Sequence, residues 1–220
     1  MIDDPVSLQI FLPPVALSCI AVTALVLCDF HQLRPGRYLF KPLAAVAFIW
    51  LALVLGAPAS TYGSWLLAGL LCCASGDLLL MPDSERSFLA GLFAFLCGHL
   101  FYAVAFVNLS GNLTGMAATG PPALVLLVVV GVWLAPHIKR DMKFPVALYT
   151  LVITGMLLCA GLSAGHPAAL LIIAGAWGFA ISDLAVARQR FAHPSRVNGL
   201  WGTPLYFFSQ MLLAGSIALT

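Results

Sequence analysis

The chain has 220 residues, of which 62% are hydrophobic and only 8% are charged, with a formal net charge of +2. Ordinary soluble domains carry roughly 25% charged residues, so a water-soluble fold is excluded because it could not bury this much apolar surface. A membrane-spanning helix needs about 20 mostly apolar residues. Eight such helices use most of the chain, and we expect one polytopic membrane domain over residues 1–220. Its surroundings are the lipid bilayer, and we expect no nucleic-acid partner.

Apolar runs between charged residues, prolines and glycines predict the membrane spans in chain order. The first run has no basic segment before it, so we interpret it as a span rather than as a cleavable signal peptide. The second begins near Lys41-Pro42 and has only about 17 residues, close to the lower limit for a span. The predicted fold is an all-α bundle of about eight transmembrane helices near residues 8–27, 39–56, 63–81, 87–108, 121–138, 144–163, 168–187 and 200–219.

The basic residues predict how these spans are oriented. All ten lysines and arginines lie in or beside alternate connections, namely Arg34, Arg37 and Lys41; Arg86; Lys139, Arg140 and Lys143; and Arg188, Arg190 and Arg196. Basic loops remain on the cytoplasmic side of a membrane. We therefore expect these four connections in the cytoplasm and both termini on the opposite side. In a bacterium, the protein would lie in the cytoplasmic (inner) membrane.

The residues that commonly bind metals or act as nucleophiles give little signal. The six cysteines all lie in or at the edge of apolar segments and lack CxxC spacing, which favours a packing role. A catalytic zinc usually has three protein ligands. Of five histidines, His99 lies well within a predicted span, and the other four lie in connections or at span ends. The sequence contains no GxSxG, HExxH or P-loop motif. We therefore expect neither a metal nor a cofactor.

Two aspartates inside predicted spans are the strongest candidates for catalytic residues. An ionisable group within a span costs several kcal/mol unless it faces a cavity or a partner. Asp77 lies five positions before Pro82, and Asp183 lies five before Arg188, which places each about 7 Å from the cytoplasmic end of its helix. Lys41 belongs to the same layer, where it would pair with a carboxylate, bind a phosphate, or extend to lipid headgroups. The structural alternative for the aspartates is a pair of helix-to-helix hydrogen bonds.

Further polar side chains lie inside the other spans. His99 and Tyr102 are three positions apart and share one face of the fourth span. Counted from the start of that span they lie about 18 and 22 Å in, deeper than the aspartates. Tyr149 lies in the sixth span, and Tyr206 and Gln210 share a face of the eighth. Each of these residues alone is equally compatible with helix packing.

The ordered set of these residues resembles the YhhN-like membrane family, whose characterised members are lysoplasmalogenases. The motifs, from the second predicted span to the last, are Lys41-Pro42; Gly76-Asp77-Leu78-Leu79-Leu80; Phe95 with Gly98-His99-Leu100-Phe101-Tyr102; Ile181-Ser182-Asp183-Leu184 and Phe191; and Tyr206 with Gln210. One departure is Gln189, where the family often has Asn. The resemblance implies a lysophospholipid substrate and hydrolysis of the sn-1 vinyl ether bond of lysoplasmenyl-ethanolamine or lysoplasmenyl-choline to a fatty aldehyde and a glycerophospho-base.

That reaction suits two buried carboxyl groups. A vinyl ether breaks when the carbon distal to oxygen is protonated, which gives an oxocarbenium ion that water captures. One protonated carboxyl group would donate the proton, and one ionised carboxylate would stabilise the cation. Burial and mutual repulsion favour this arrangement because they disfavour two charges in one site. Asp77 and Asp183 are the predicted pair, without assignment of the acid; Lys41, His99, Tyr102, Tyr149, Ser182, Tyr206 and Gln210 are predicted to bind substrate or support them. The alternatives are a proton-coupled transporter of small molecules or lipids, a different lipid hydrolase, and a structural protein.

Overall fold

A computed structural model describes residues 5–109 and 111–220. These residues form eight α-helices and no β-strand, which confirms the all-α prediction. The helices are α1 (Pro5–Phe30), α2 (Arg34–Val54), α3 (Thr61–Leu79), α4 (Glu85–Val107), α5 (Leu113–Leu134), α6 (Lys143–Gly161), α7 (Ala169–Ala187) and α8 (Arg196–Ser216). A π-helical turn, Arg188–Ala192, extends α7.

Side-chain caps set where several helices begin. The hydroxyls of Ser60, Ser84 and Ser195 and the amide oxygen of Asn112 each accept a backbone N–H in the first turn of the following helix. Such caps satisfy donors that have no partner within the helix. Because Asn112 starts α5, Pro121-Pro122 lies inside this helix. The apolar span predicted to begin at residue 121 is therefore only the second part of a longer helix.

The outer surface of the bundle is apolar, as a lipid-facing surface must be. Large hydrophobic side chains are widely exposed, for example Leu170 at 78% and Phe144 at 75%. In the part of the chain that the structure describes, seven helices, α1 to α7, are long and apolar enough to cross a membrane. The protein is thus a multi-pass integral membrane protein.

Helix α8 is long enough to span a membrane but is less apolar than the other seven helices. It packs against α1, α2, α3 and α7, so it lies near the centre of the bundle. Its polar residues Asn198, Ser209, Gln210 and Ser216 are buried there. Because these side chains point into the protein, the low hydropathy of α8 does not bring polar groups to lipid. An eighth span and the sidedness of both termini stay predictions.

Sequential helices pair as α1–α2, α3–α4, α5–α6 and α7–α8, while α5 lies at the periphery against α6. The α3–α4 pair is unusually close beside the first aspartate. A Cβ atom added at Gly76 would come within 2.8 Å of the Phe95 ring, nearer than carbon atoms pack. Glycine at this position lets α4 press against α3 next to Asp77.

Candidate active site

A cavity of about 620 Å³ opens at one end of the bundle. The α1–α2, α3–α4 and α7–α8 connections surround its mouth, and α5 and α6 supply an apolar wall that includes Leu126, Val130 and Ile153. Asp77 and Asp183 both line this cavity. The structure thus brings together two carboxyl groups that are 106 positions apart in the sequence.

Asp77 lies at the end of α3 with both carboxylate oxygens engaged. The Lys41 ammonium, from α2, is 3.1 Å from Oδ1 and also donates to the Asp77 backbone carbonyl at 3.2 Å. The Tyr206 hydroxyl, from α8, donates to Oδ2 at 2.7 Å. Only 3% of the Asp77 side chain is exposed. A cation and a hydroxyl donor around a buried carboxylate stabilise its ionised form.

Asp183 lies near the end of α7 in a different environment. The Tyr149 hydroxyl, from α6, donates to Oδ2 at 2.9 Å, and His99 Nε2, from α4, is 3.6 Å from the same oxygen. No lysine or arginine among the described residues lies within ion-pair distance of this carboxyl. The Asp183 side chain is 15% exposed, so it offers more surface to the cavity than Asp77 does.

His99 is oriented by its other ring nitrogen. Its Nδ1 is 2.7 Å from the Phe95 carbonyl oxygen. A carbonyl can only accept, so Nδ1 carries the hydrogen and donates. In a neutral imidazole Nε2 is then an acceptor, and within the described structure this buried atom has no hydrogen-bond partner. An acceptor nitrogen facing a carboxylate oxygen repels it, so a proton on either His99 Nε2 or Asp183 Oδ2 would make this contact favourable.

Aromatic rings separate and support the two carboxyl groups. The fully buried Phe179 ring stacks on His99 with centroids 4.2 Å apart and meets the Tyr206 ring at 5.3 Å. The Tyr149 ring meets His99 edge-on at 5.3 Å. Sequence reasoning missed Phe179, because a phenylalanine in an apolar span carries no signal beyond packing.

Other predicted site residues lie away from the carboxyl groups. Tyr102 donates to Gln210 Oε1 at 2.6 Å in the interior, and neither residue lines the cavity. Ser182 lines the cavity, but its hydroxyl donates to the Phe179 carbonyl of its own helix at 2.7 Å. We therefore find no direct contact from the Tyr102, Gln210 or Ser182 side chains to either carboxyl group among the described hydrogen bonds.

The contact between His99 and Asp183 was not predicted from the sequence. Counting residues from the start of the fourth span placed His99 well below Asp183, yet the two side chains are 3.6 Å apart. The count assumed that all helices start at the same level. In the structure α7 continues beyond Arg188 through the π-helical turn, so Asp183 lies further from the end of its helix than the sequence suggested.

The α7–α8 connection contains an amide network that sequence reasoning did not find. Gln189 Oε1 accepts from the Asn198 side-chain amide and from the Ser195 backbone N–H, both at 2.9 Å. Asn198 also donates to the His193 carbonyl at 2.9 Å, and its own Oδ1, buried beside the cavity, has no partner among the described residues. The amide at Gln189 therefore shapes one side of the cavity mouth, despite the departure noted at this position.

The donor set suits acid–base chemistry. Among the residues that the structure describes, no group of three His, Cys, Asp or Glu side chains lies close enough to hold a metal ion. The cavity presents one carboxyl group beside a lysine ammonium and a second carboxyl group that faces an imidazole nitrogen. Two such groups can protonate a substrate and stabilise the cation that results.

Fold and site together define a multi-pass helical membrane protein with a buried two-carboxyl cavity near one end of its helices. The sequence model of the YhhN family matches residues 36–217. The chain belongs to the YhhN family, which confirms the resemblance found in its motifs.

Several curated proteins similar to this chain are named lysoplasmalogenase. Human lysoplasmalogenase TMEM86B is 31% identical over 213 residues, which cover 92% of this chain and 84% of the human protein. A lysoplasmalogenase of Mycobacterium tuberculosis is 32% identical over 165 residues, 71% of this chain and 62% of the mycobacterial protein. Rat lysoplasmalogenase TMEM86B is 32% identical over 180 residues, 78% of this chain and 67% of the rat protein. No solved structure matches the chain.

Proposed function

We propose that this protein is a lysoplasmalogenase, which hydrolyses the sn-1 vinyl ether bond of lysoplasmenyl-ethanolamine or lysoplasmenyl-choline. The products are a fatty aldehyde and the corresponding glycerophospho-base. The names of its relatives support the activity. The observation that carries the proposal is the unequal pair of carboxyl groups on one cavity: Asp77 is ion-paired with Lys41, and Asp183 faces the acceptor nitrogen of His99.

In the proposed mechanism Asp183 is the acid and Asp77 is the counter-charge. Asp183 transfers its proton to the vinyl carbon distal to the ether oxygen, and the C=C π electrons form the new C–H bond. A lone pair of the ether oxygen then stabilises the positive charge on the other vinyl carbon as an oxocarbenium ion, and Asp183 is left as a carboxylate. Asp77 stays ionised and stabilises this cation, which is worth more in a water-poor cavity than in bulk water. Its own oxygens are already bonded to Lys41 and Tyr206, so it is poorly placed to accept a further proton.

Water then attacks the oxocarbenium carbon and loses a proton to Asp183, which restores the acid. The resulting hemiacetal collapses: its C–O bond to glycerol breaks, its hydroxyl proton passes to the departing glycerol oxygen, and the aldehyde is released. One water is consumed, and the protein ends the cycle with the same protonation state in which it began. His99 and Tyr149 act as positioning residues, because their contacts with Oδ2 fix the orientation of the carboxyl group.

The test uses purified protein, a lysoplasmalogen and heavy water. Protonation at carbon predicts one deuterium at carbon 2 of the aldehyde, trapped at once to prevent exchange. Asp183→Ala should lower kcat about 10³-fold, as expected for loss of a general acid, and added formic acid should restore part of the activity. Asp77→Ala should also be inactive but should not respond to formic acid, because its missing group is a fixed charge.

The matched control is Asp83→Asn, which changes an exposed aspartate at the cavity mouth that contacts neither carboxyl group. It should retain wild-type kcat. Near-normal turnover of folded Asp183→Ala would refute the acid assignment, and an aldehyde without deuterium would refute protonation at carbon. Substrate flux into proteoliposomes without aldehyde formation would instead favour the proton-coupled transporter.

The proposal includes a location and an orientation. We propose that all eight helices cross the membrane as one domain, with both termini on the non-cytoplasmic side and the cavity mouth at the cytoplasmic face. The basic connections support this orientation. In a bacterium the protein would take lysophospholipid from the cytoplasmic membrane. Cysteine-accessibility labelling at residues 84 and 112, which lie in connections at opposite ends of α4, tests the sidedness.

A further inference from the structure

We propose that the mouth of the cavity binds the phosphodiester of the substrate through Arg190 and Arg196. This inference rests on the proposed function, because it identifies the chemical group that holds the vinyl ether in front of Asp183. The ligand chemistry is a phosphate anion, on a lipid headgroup or free in solution.

Lys41, the basic residue nearest the carboxyl groups, does not provide this site. Its ammonium already contacts Asp77 Oδ1 and the Asp77 backbone carbonyl, and its side chain is only 14% exposed. Moving it to a phosphate would leave a buried carboxylate without its cation, which is costly. The phosphate therefore needs other donors, further toward the mouth.

Arg190 and Arg196 both line the cavity and both are held toward it. The Arg190 guanidinium lies over the Phe88 ring, 4.6 Å from the centroid. Arg196 Nη1 donates to the Phe30 carbonyl at 3.4 Å. In the described parts of the chain, no carboxylate lies within ion-pair distance of either arginine. Guanidinium groups bind phosphate strongly because their N–H groups match its oxygens.

The other charges at the mouth leave it net positive. Arg37 is partly neutralised by Asp29, with Nε and Oδ1 3.8 Å apart, and Asp83 is exposed on the α3–α4 connection. Three arginines against two aspartates give a net charge of +1 around the opening. An anion entering the mouth is therefore attracted.

The spacing between Asp183 and Arg190 fits the substrate. In a lysoplasmalogen five bonds separate the vinyl ether oxygen from phosphorus, about 6 Å when extended. Arg190 follows Asp183 by seven positions, about 10 Å along the helix direction. The glycerophosphate and an arginine side chain together bridge this distance. The alkenyl chain then extends along the apolar wall formed by α5 and α6.

The test measures binding of two lipids that the enzyme does not cleave. One is a saturated 1-O-alkyl-glycero-3-phosphocholine, and the other is the matching 1-O-alkylglycerol without phosphate. Arg190→Gln and Arg196→Gln should each weaken binding of the phosphocholine lipid about tenfold, as expected for a lost charge-assisted hydrogen bond. Neither variant should change binding of the alkylglycerol. Equal losses for both lipids, or no loss, would overturn the proposal.

The controls are Arg34→Gln and Arg188→Gln, which remove positive charge from the same connections but do not line the cavity. Both control variants should leave the affinities for both lipids unchanged. If they selectively weaken binding of the phosphocholine lipid, the effect comes from the overall positive charge rather than from a specific site, and the proposal is wrong. Inorganic phosphate is the third probe. If inorganic phosphate displaces the phosphocholine lipid in an arginine-dependent way, the site also binds free phosphate. If lipid binding depends on the arginines but phosphate does not compete, the site binds phosphate only as part of a lipid. Both outcomes support the site.

This binding test is independent of turnover. Arginine-dependent binding without aldehyde release from any lysoplasmalogen would refute the proposed function and keep the phosphate site. Hydrolysis of a lysoplasmalogen, together with lipid binding that does not depend on the arginines, would support the proposed function and refute the phosphate site.

Discussion

Replacing Lys41 by methionine should destabilise the protein much more than removal of an exposed cation does. Methionine keeps the apolar stem and deletes the ammonium, which leaves the Asp77 carboxylate with one partner, Tyr206. With only 3% of the Asp77 side chain exposed, water cannot compensate. Breaking a buried ion pair by removing one partner costs about 3–5 kcal/mol. Because the Tyr206 hydrogen bond remains, we expect about 3 kcal/mol for Lys41→Met.

The assay is reversible unfolding of purified protein in mixed micelles, with the double variant Lys41→Met/Asp77→Asn as the decisive comparison. Removing both charges leaves no uncompensated ion, so the double variant should lose only about 1 kcal/mol. It should nevertheless be inactive, since the counter-charge for the oxocarbenium ion is gone. A folded, stable and inactive double variant would separate the catalytic role of Asp77 from its structural one.

Arg37→Met is the matched control, because Arg37 is on the same helix and also pairs with an aspartate. Its pair with Asp29 spans 3.8 Å, and both side chains are about one-third exposed. Exposed pairs contribute less than about 1 kcal/mol. Equal destabilisation by Lys41→Met and Arg37→Met would refute the argument that burial makes the Lys41–Asp77 pair strong, and so would a double variant less stable than Lys41→Met.

Two further predictions concern positioning and chain length. His99→Phe keeps the ring stacked on Phe179 but removes the nitrogen facing Asp183, so kcat should fall about 10²-fold with little change in KM; an unchanged kcat would contradict the positioning role of His99. Val130→Trp narrows the cavity at its apolar wall. Displacing two methylenes of a long alkenyl chain costs about 1.6 kcal/mol, so kcat/KM should fall about 15-fold for long chains relative to short ones. Val132→Trp, on the exposed outer face of α5, should leave this chain-length profile unchanged.

The ionisable members of the site could be predicted from the sequence, because a charge in an apolar span needs a partner. Asp77, Asp183 and Lys41 stand out on that ground alone. Their exact partners could not be derived, because partner choice depends on how helices distant in sequence pack. Tyr206 and Gln210 share one face of α8, yet Tyr206 contacts Asp77 and Gln210 contacts Tyr102.

Positions along the membrane normal were harder to predict than the residues themselves. Counting residues from the predicted span ends did not place His99 beside Asp183, since α7 continues through a π-helical turn beyond the predicted end of its span. The role of Gln189 in the α7–α8 connection was also not predicted. In the sequence it was only a departure from a family pattern, but in the structure its side chain accepts a hydrogen bond from Asn198 at the cavity mouth. Gln189 lies within the π-helical turn, where its side chain reaches Asn198 and the Ser195 backbone N–H.

The difference between the two carboxyl groups has a structural origin in the helices that surround them. Asp77 on α3 faces α2 and α8, and α2 begins in a basic connection that supplies Lys41. Asp183 on α7 faces α4 and α6, whose contributions are His99 and Tyr149, neutral groups inside the bundle. Two aspartates with similar sequence surroundings thus have different partners. In the mechanism we propose, the aspartate beside the lysine stays ionised, and the aspartate beside the imidazole donates the proton.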